Sequence, residues 1–147
     1  MSIPIHDILN DFRTSLPLAG VSDPVLWEVE EHGCPHIPRT LPRGKMAIYI
    51  FANGDHVLKV GKVGGKSGSR FRTQHYAPAS SASNLAKSLL NDKDGGCYDV
   101  PAAEIGSWMR QNLHRIDILL SVELGKGVLA YLEAFLHCRL SPRYEGF

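Results

Sequence analysis

The sequence predicts a mixed α/β (α+β) domain built on a small, mainly antiparallel three-stranded sheet flanked by helices. Three observations carry that expectation. Residues 46–51 and 56–60 are short β-prone runs separated by Asn53-Gly54, a strong hairpin signal because a type I′ turn needs positive φ at both central residues. Residues 116–124 supply a third strand, with Ile116, Ile118, Leu120 and Val122 alternating against Asp117, Ser121 and Glu123. Helical spacing then recurs on both sides of these strands, so the layers are a sheet with helices packed around it.

In chain order, Ile5, Ile8, Leu9, Phe12 and Leu16 repeat at three and four, which predicts an amphipathic helix over 5–16, closed by Pro17 and Gly20. Ser22-Asp23-Pro24 reads as a helix start, a cap candidate followed by proline in the first turn. Val25, Leu26 and Val29 give that second helix its apolar side, so two extra N-terminal helices are expected. Residues 33–45 contain three prolines and read as an extended connector. Residues 1–45 are thus an N-terminal extension and 46–147 the main domain, together one compact unit. After Tyr76, small polar residues 77–83 form a loop and 84–90 a helical piece, with turn-rich residues at 91–96. Ala102, Ile105, Trp108, Met109 and Leu113 mark a helix over 101–113. Leu119 breaks the alternation of the third strand, so both of its faces are expected to be partly covered. Gly125-Lys126-Gly127 turns the chain into the clearest helix, 128–140, ended by Ser141-Pro142.

At 147 residues, 44% apolar and 21% charged, the chain suits one globular domain with its own core. The net charge of +1 conceals a strong asymmetry: residues 1–38 carry −5, residues 39–76 carry +7 and residues 77–147 carry −1. Such a basic patch steers a polyanion even when total charge is near zero. Three cysteines without a CxxC spacing exclude a disulfide framework and a finger-type zinc site, and point to the reducing cytoplasm. No charged segment precedes an apolar run at the start, so no signal peptide is expected. No apolar run reaches the roughly 18 residues needed to cross a bilayer.

The basic residues coincide with glycines. Gly61, Gly64, Gly65 and Gly68 let the backbone turn and come close to a partner, and Lys62, Lys66, Arg70 and Arg72 sit among or just after them. That pattern predicts a phosphate-bearing partner. It is not a P-loop: counting back from Gly65-Lys66-Ser67 puts Val60 where the first glycine belongs, so the spacing fails by one. His32, Cys34 and His36, with Cys97 or Cys138, have no standard zinc spacing. Glu133 and His137, four apart, share a helix face; they are either a ligand pair or an ordinary surface pair.

Ala47-Ile48-Tyr49 on the first hairpin strand and Lys59-Val60-Gly61 on the second, followed by Arg70-Phe71, His75-Tyr76, a late helical Glu133 and Leu140-Ser-Pro142, resemble the GIY-YIG nuclease superfamily in order and placement. The resemblance covers about residues 46–145. Ala47 stands for the first motif's glycine and Lys59 for the second motif's tyrosine. Glu145 stands near the place of a late asparagine, and Arg70 to His75 is five residues where the family usually has four. Arg72, four before Tyr76, is the alternate phosphate arginine.

The resemblance implies a Mg²⁺- or Mn²⁺-dependent endonuclease acting on nucleic acid, DNA ahead of RNA. In that reading Glu133 holds the metal, Arg70 forks onto the scissile phosphate, Tyr49 assisted by Lys59 takes the proton of the attacking water, and His75 orients or assists. Gly61, Lys62, Lys66, Arg72 and Tyr76 are the candidate substrate-binding residues. A rival reading keeps the fold without the chemistry, as a nucleic-acid-binding or protein-interaction module. The acidic N-terminal segment is a poor DNA contact and the expected place for a protein partner or a homodimer contact. No membrane association is expected.

Overall fold

The computed structural model describes residues 3–79, 84–94, 97 and 99–144. Its center is a four-stranded antiparallel sheet in the order β1-β4-β2-β3, formed by Trp27–Gly33 (β1), Lys45–Asn53 (β2), His56–Val63 (β3) and His114–Ser121 (β4). Five helices surround it: Ile5–Ser15 (α1), Gly68–Arg72 (α2), Leu85–Asn91 (α3), Ile105–Asn112 (α4) and Lys126–Leu140 (α5). The mixed α/β class agrees with the sequence expectation. No helix among the described residues is long and apolar enough to cross a membrane.

The sheet has one strand more, and the N-terminal segment one helix fewer, than the sequence predicts. Residues 27–33 are a strand, with Trp27 opposite Leu120 and Val29 opposite Ile118 on β4. The competing signal was the alternation Trp27-Glu28-Val29-Glu30, which has period two. Trp27 and Val29 pack against the core under α1 and α5, where Trp27 meets Phe12 at 6.1 Å between ring centroids. Tertiary packing thus decides between two local readings of one short segment. Residues 3–45 consequently share the sheet and core of the rest: Phe12 also packs on Tyr131 and Phe135 of α5, and Tyr131 donates to the Ser15 hydroxyl at 2.6 Å.

β2 has a strand on either side and a packed layer on each face. Met46, Ile48 and Ile50 point toward α1 and α5, and Ala47, Tyr49 and Phe51 toward α2, α3 and α4. Burial on both faces explains its nearly unbroken apolar run. The hairpin turn is displaced by one residue from the expected position. Asn53 pairs with His56, so the loop is Gly54-Asp55, with φ of +61° at Gly54 and a non-positive value at Asp55, as in a type II′ turn.

β3 is an edge strand with a bulge: Phe51 faces Lys59 but Ala52 faces Val57, leaving Leu58 as the extra residue. The carbonyls of Val57 and Leu58 both accept from the C-terminal segment, from the N–H groups of Arg143 (3.1 Å) and Tyr144 (2.8 Å). That segment is anchored by Asp92, which accepts from Arg143 Nε at 2.7 Å and the Tyr144 hydroxyl at 2.6 Å. Those bonds hold the Asp92 carboxyl down at about 2. Residues 143–144 therefore cover the start of the β3 edge, and no described strand pairs with residues 59–63 on that side. Residues 80–83 of the expected loop, residues 95–96 of the expected turn, and Glu145 lie outside the described residues.

Candidate active site

A cleft of about 490 Å³ lies along the open part of the β3 edge, lined by Tyr49, Lys59–Gly64, Ser67, Arg70, Lys126, Leu129, Glu133 and His137. Of the five candidate catalytic residues, four therefore meet: Tyr49, Lys59, Arg70 and Glu133. They come from β2, β3, α2 and α5, and the last is over 60 residues from its nearest companion in sequence.

The local geometry follows from a few residue choices. Tyr49 sits opposite Gly61 in the hairpin, and a methyl group on Gly61 would overlap the Tyr49 hydroxyl. The missing side chain lets the phenol lie across β3 and reach the sheet edge, the kind of close approach only glycine permits. Lys59 shares that face, opposite Phe51. Arg70 comes from the short helix that follows the Gly64–Ser67 turn, and its guanidinium hydrogen bonds the Tyr49 side chain. On the other side of the edge, α5 presents the stripe Lys126, Leu129, Glu133, His137, spaced three and four apart as one helix face requires.

The cleft is strongly positive: Lys59, Lys62, Arg70 and Lys126 surround a single carboxylate, Glu133. Lys62 Nζ donates to Glu133 Oε1 at 2.8 Å, with the lysine half exposed and the glutamate mostly shielded. Burial lowers the Lys59 ammonium from its usual range, and the nearby Arg70 charge lowers it further. Burial raises the Tyr49 phenol, while the Arg70 charge and hydrogen bond pull it back. A carboxylate and an imidazole lining one cleft are a donor set that suits a hard or borderline divalent cation completed by water and phosphate oxygens.

His75, the fifth candidate, lies behind the site. It is 2% exposed, its ring is stacked on Tyr49 at 4.1 Å, and it does not line the cleft. Burial and the positive charges of Arg115, Lys59 and Arg70 push its pKa well below 6.5, so it is neutral at pH 7, and its Nε2 has no partner among the described residues. Its geometry allows it to hold the Tyr49 ring and not to touch a substrate in the cleft.

The candidate substrate-binding residues divide as well. Gly61 and Lys62 line the cleft. Lys66 lines an adjoining hollow of about 580 Å³ with Gly64, Gly65, Ser67 and Lys126. Arg72 is exposed and lines neither, which favors Arg70 of the two arginines. Tyr76 is buried and belongs to a separate polar network. Its hydroxyl accepts from Arg115 Nη1 at 3.0 Å and bonds His36 Nε2 at 2.8 Å. His36 donates through Nδ1 to the Leu113 carbonyl at 2.6 Å, so its neutral ring receives the Tyr76 proton on Nε2. Arg115 also reaches Asp117 Oδ1 (2.9 Å) and the Phe71 carbonyl (2.6 Å), and His32 Nε2 donates to Asp117 Oδ2 at 2.7 Å.

Sequence reasoning gave Lys126 no role and left His137 open; the α5 stripe through Glu133 was the available signal for both. The weaker readings dissolve. Cys34 bonds the Gln111 carbonyl, and His32 and His36 turn to different partners, so no zinc set forms from them. Residues 61–67 are strand end and turn before a five-residue helix, which is no phosphate-binding P-loop. Glu30, His32 and Asp117 place ligand atoms within 4.8 Å of one another. Arg39 pairs with Glu30 and Arg115 with Asp117, so that cluster's carboxylates are already neutralized. Comparison of the chain with protein-family models, curated proteins and solved structures gives no match.

Proposed function

We propose that this chain is a divalent-metal-dependent nuclease of the GIY-YIG kind, hydrolyzing phosphodiester bonds in nucleic acid, DNA ahead of RNA. The observation that carries the reading is the meeting of Tyr49, Lys59, Arg70 and Glu133 in one positively charged cleft. These are the residue types that phosphodiester hydrolysis needs: a proton acceptor, a relay, a phosphate fork and a metal carboxylate.

Arg70 binds the scissile phosphate through its guanidinium fork, and Lys62 and Lys126 hold neighboring phosphates. Glu133, which lines the cleft, would hold the Mg²⁺ or Mn²⁺, and a divalent ion there would supply charge neutralization for the phosphoryl oxygens. The Tyr49 oxygen takes a proton from the attacking water as its own proton passes toward Lys59, whose ammonium form is disfavored by burial and by the Arg70 charge. His75 braces the Tyr49 ring from behind. Lys62 holds Glu133 while no cation is bound, and is released to phosphate when one is.

The test is cleavage of supercoiled plasmid and of a single-stranded RNA by the full chain with Mg²⁺ or Mn²⁺, beside Tyr49→Phe, Arg70→Ala and Glu133→Gln. The reading expects cleavage of DNA that falls about 100-fold or more in each variant. Retardation of nucleic acid on a gel without cleavage would establish the binding-module reading instead. Neither cleavage nor retardation ends the nucleic-acid reading altogether.

A further inference from the structure

The α5 stripe that lines the cleft continues one turn past Glu133 to His137, which is 5% exposed and lines the same cleft. Residues four apart on a helix stand one above the other, and every Cα–Cβ bond leans toward the helix N-terminus. His137 and Glu133 therefore share one helix face along the cleft. An imidazole and a carboxylate at this spacing form a two-point chelate on one helix face, the arrangement by which helical i, i+4 ligand pairs hold a metal ion. Histidine can ligate through one ring nitrogen while the other stays in a hydrogen bond.

We infer that His137 is the second protein ligand of the cation held by Glu133, and that this pair selects first-row transition ions such as Mn²⁺ and Co²⁺ over Mg²⁺. The inference rests on the assignment of Glu133 as a metal ligand in the reading above. Its chemical basis is ligand type: imidazole nitrogen binds transition ions well, whereas Mg²⁺ is satisfied by oxygen donors and gains little from a nitrogen. Lys62 does not oppose this strongly, because its own end of the ion pair with Glu133 is half open to water, which weakens the pair. The Glu30-His32-Asp117 cluster is the competing site within the same chain.

The experiment is calorimetric titration of the full chain with CoCl₂, MnCl₂ and MgCl₂, without nucleic acid, for wild type, His137→Ala, Glu133→Gln and His32→Gln. Binding of Co²⁺ tighter than Mg²⁺ is expected in the wild type. His137→Ala should weaken Co²⁺ about tenfold or more and change Mg²⁺ less than about twofold. Glu133→Gln should weaken both ions, and His32→Gln neither. As a measurement that needs no variant to fold, Mn²⁺ should broaden the ring resonances of His137 before those of the other six histidines. Unchanged Co²⁺ affinity in folded His137→Ala, first broadening at His32, or no ion binding at all overturns the inference. The two readings fail separately: plasmid left intact with every metal sinks the nuclease, while cleavage lost in Glu133→Gln beside unchanged Co²⁺ affinity in His137→Ala sinks only the His137 ligand.

Discussion

The cleft at the β3 edge and the network around Arg115 are built from the same kinds of side chain, and they differ in how completely those side chains are paired. In the network, Arg115 is 0% exposed, uses Nε, Nη1 and Nη2 on Asp117, Tyr76 and the Phe71 carbonyl, and lies against the rings of Phe51 and Phe71. In the cleft, Arg70 is exposed, Lys59 is buried with no carboxylate paired to it among the described residues, and four cations line the cleft with one glutamate. A complete set of partners locks a structure together. An incomplete one with access to solvent leaves binding capacity for a ligand. The two regions also touch. Arg115 holds the carbonyl of Phe71, the residue after Arg70, so the closed network fixes the backbone that carries the open site's arginine.

The largest expected effect separates the two arginines. Arg115→Met leaves the buried Asp117 without its arginine partner, with only His32 beside it, and should cost about 3–5 kcal/mol of stability in urea unfolding, whereas Arg70→Ala should leave stability within about 0.5 kcal/mol. In a cleavage assay Arg70→Ala should still lose about 100-fold or more, so the roles cross over. Equal destabilization by the two substitutions would erase the distinction drawn here.

Next in size is Gly61→Ala. The added methyl meets the Tyr49 phenol and must displace it, which should cost about 1–3 kcal/mol and reduce cleavage with it. Ala47→Gly, on β2 with Tyr49 but at a fully buried position away from the cleft lining, should reduce stability without a comparable loss of cleavage beyond the fraction unfolded.

Smaller still is the pH effect. His75 and His36 both have folded-state pKa values lowered chiefly by burial. A histidine kept neutral by the fold contributes stability that is fully present above its unfolded value of about 6.5 and is lost as pH falls below it toward the depressed folded value. Thermal unfolding midpoints should therefore hold between pH 7 and 8 and fall between pH 6.5 and 5. His75→Phe should flatten part of that slope, and His36 accounts for part of what remains. An unchanged slope in His75→Phe would mean that the ring is not held neutral.

The smallest effect is that of Lys62→Ala. The lysine end of its ion pair with Glu133 is half exposed, so stability should change by less than about 1 kcal/mol. Glu133 is then left without its competitor, and Mn²⁺ affinity measured by calorimetry should rise, not fall. Weaker Mn²⁺ binding in this variant would make Lys62 part of the cation site.

Much of this was legible in the sequence because it depends on neighbors along the chain. The α1 and α5 helices follow from apolar spacing, β2 and β3 from two β-prone runs around a glycine turn, and the concentration of positive charge from simple counting. Tyr49, Lys59 and Arg70 could be singled out from residue types in order, since they lie within one hairpin and the helix after it. What depends on partners far along the chain was not legible. Trp27–Gly33 is a strand because β4, more than 80 residues later, offers it a ladder and a core to pack on. Tyr76 and His75 follow Arg70 closely, yet packing turns Tyr76 into the Arg115 network and puts His75 behind Tyr49. The cleft itself exists because α5 crosses the sheet at the β3 edge and brings Lys126, Glu133 and His137 to residues more than 50 positions earlier. Local patterns specify elements and residue chemistry; only the packing of distant elements determines which of those residues are paired, which are buried and which face open space.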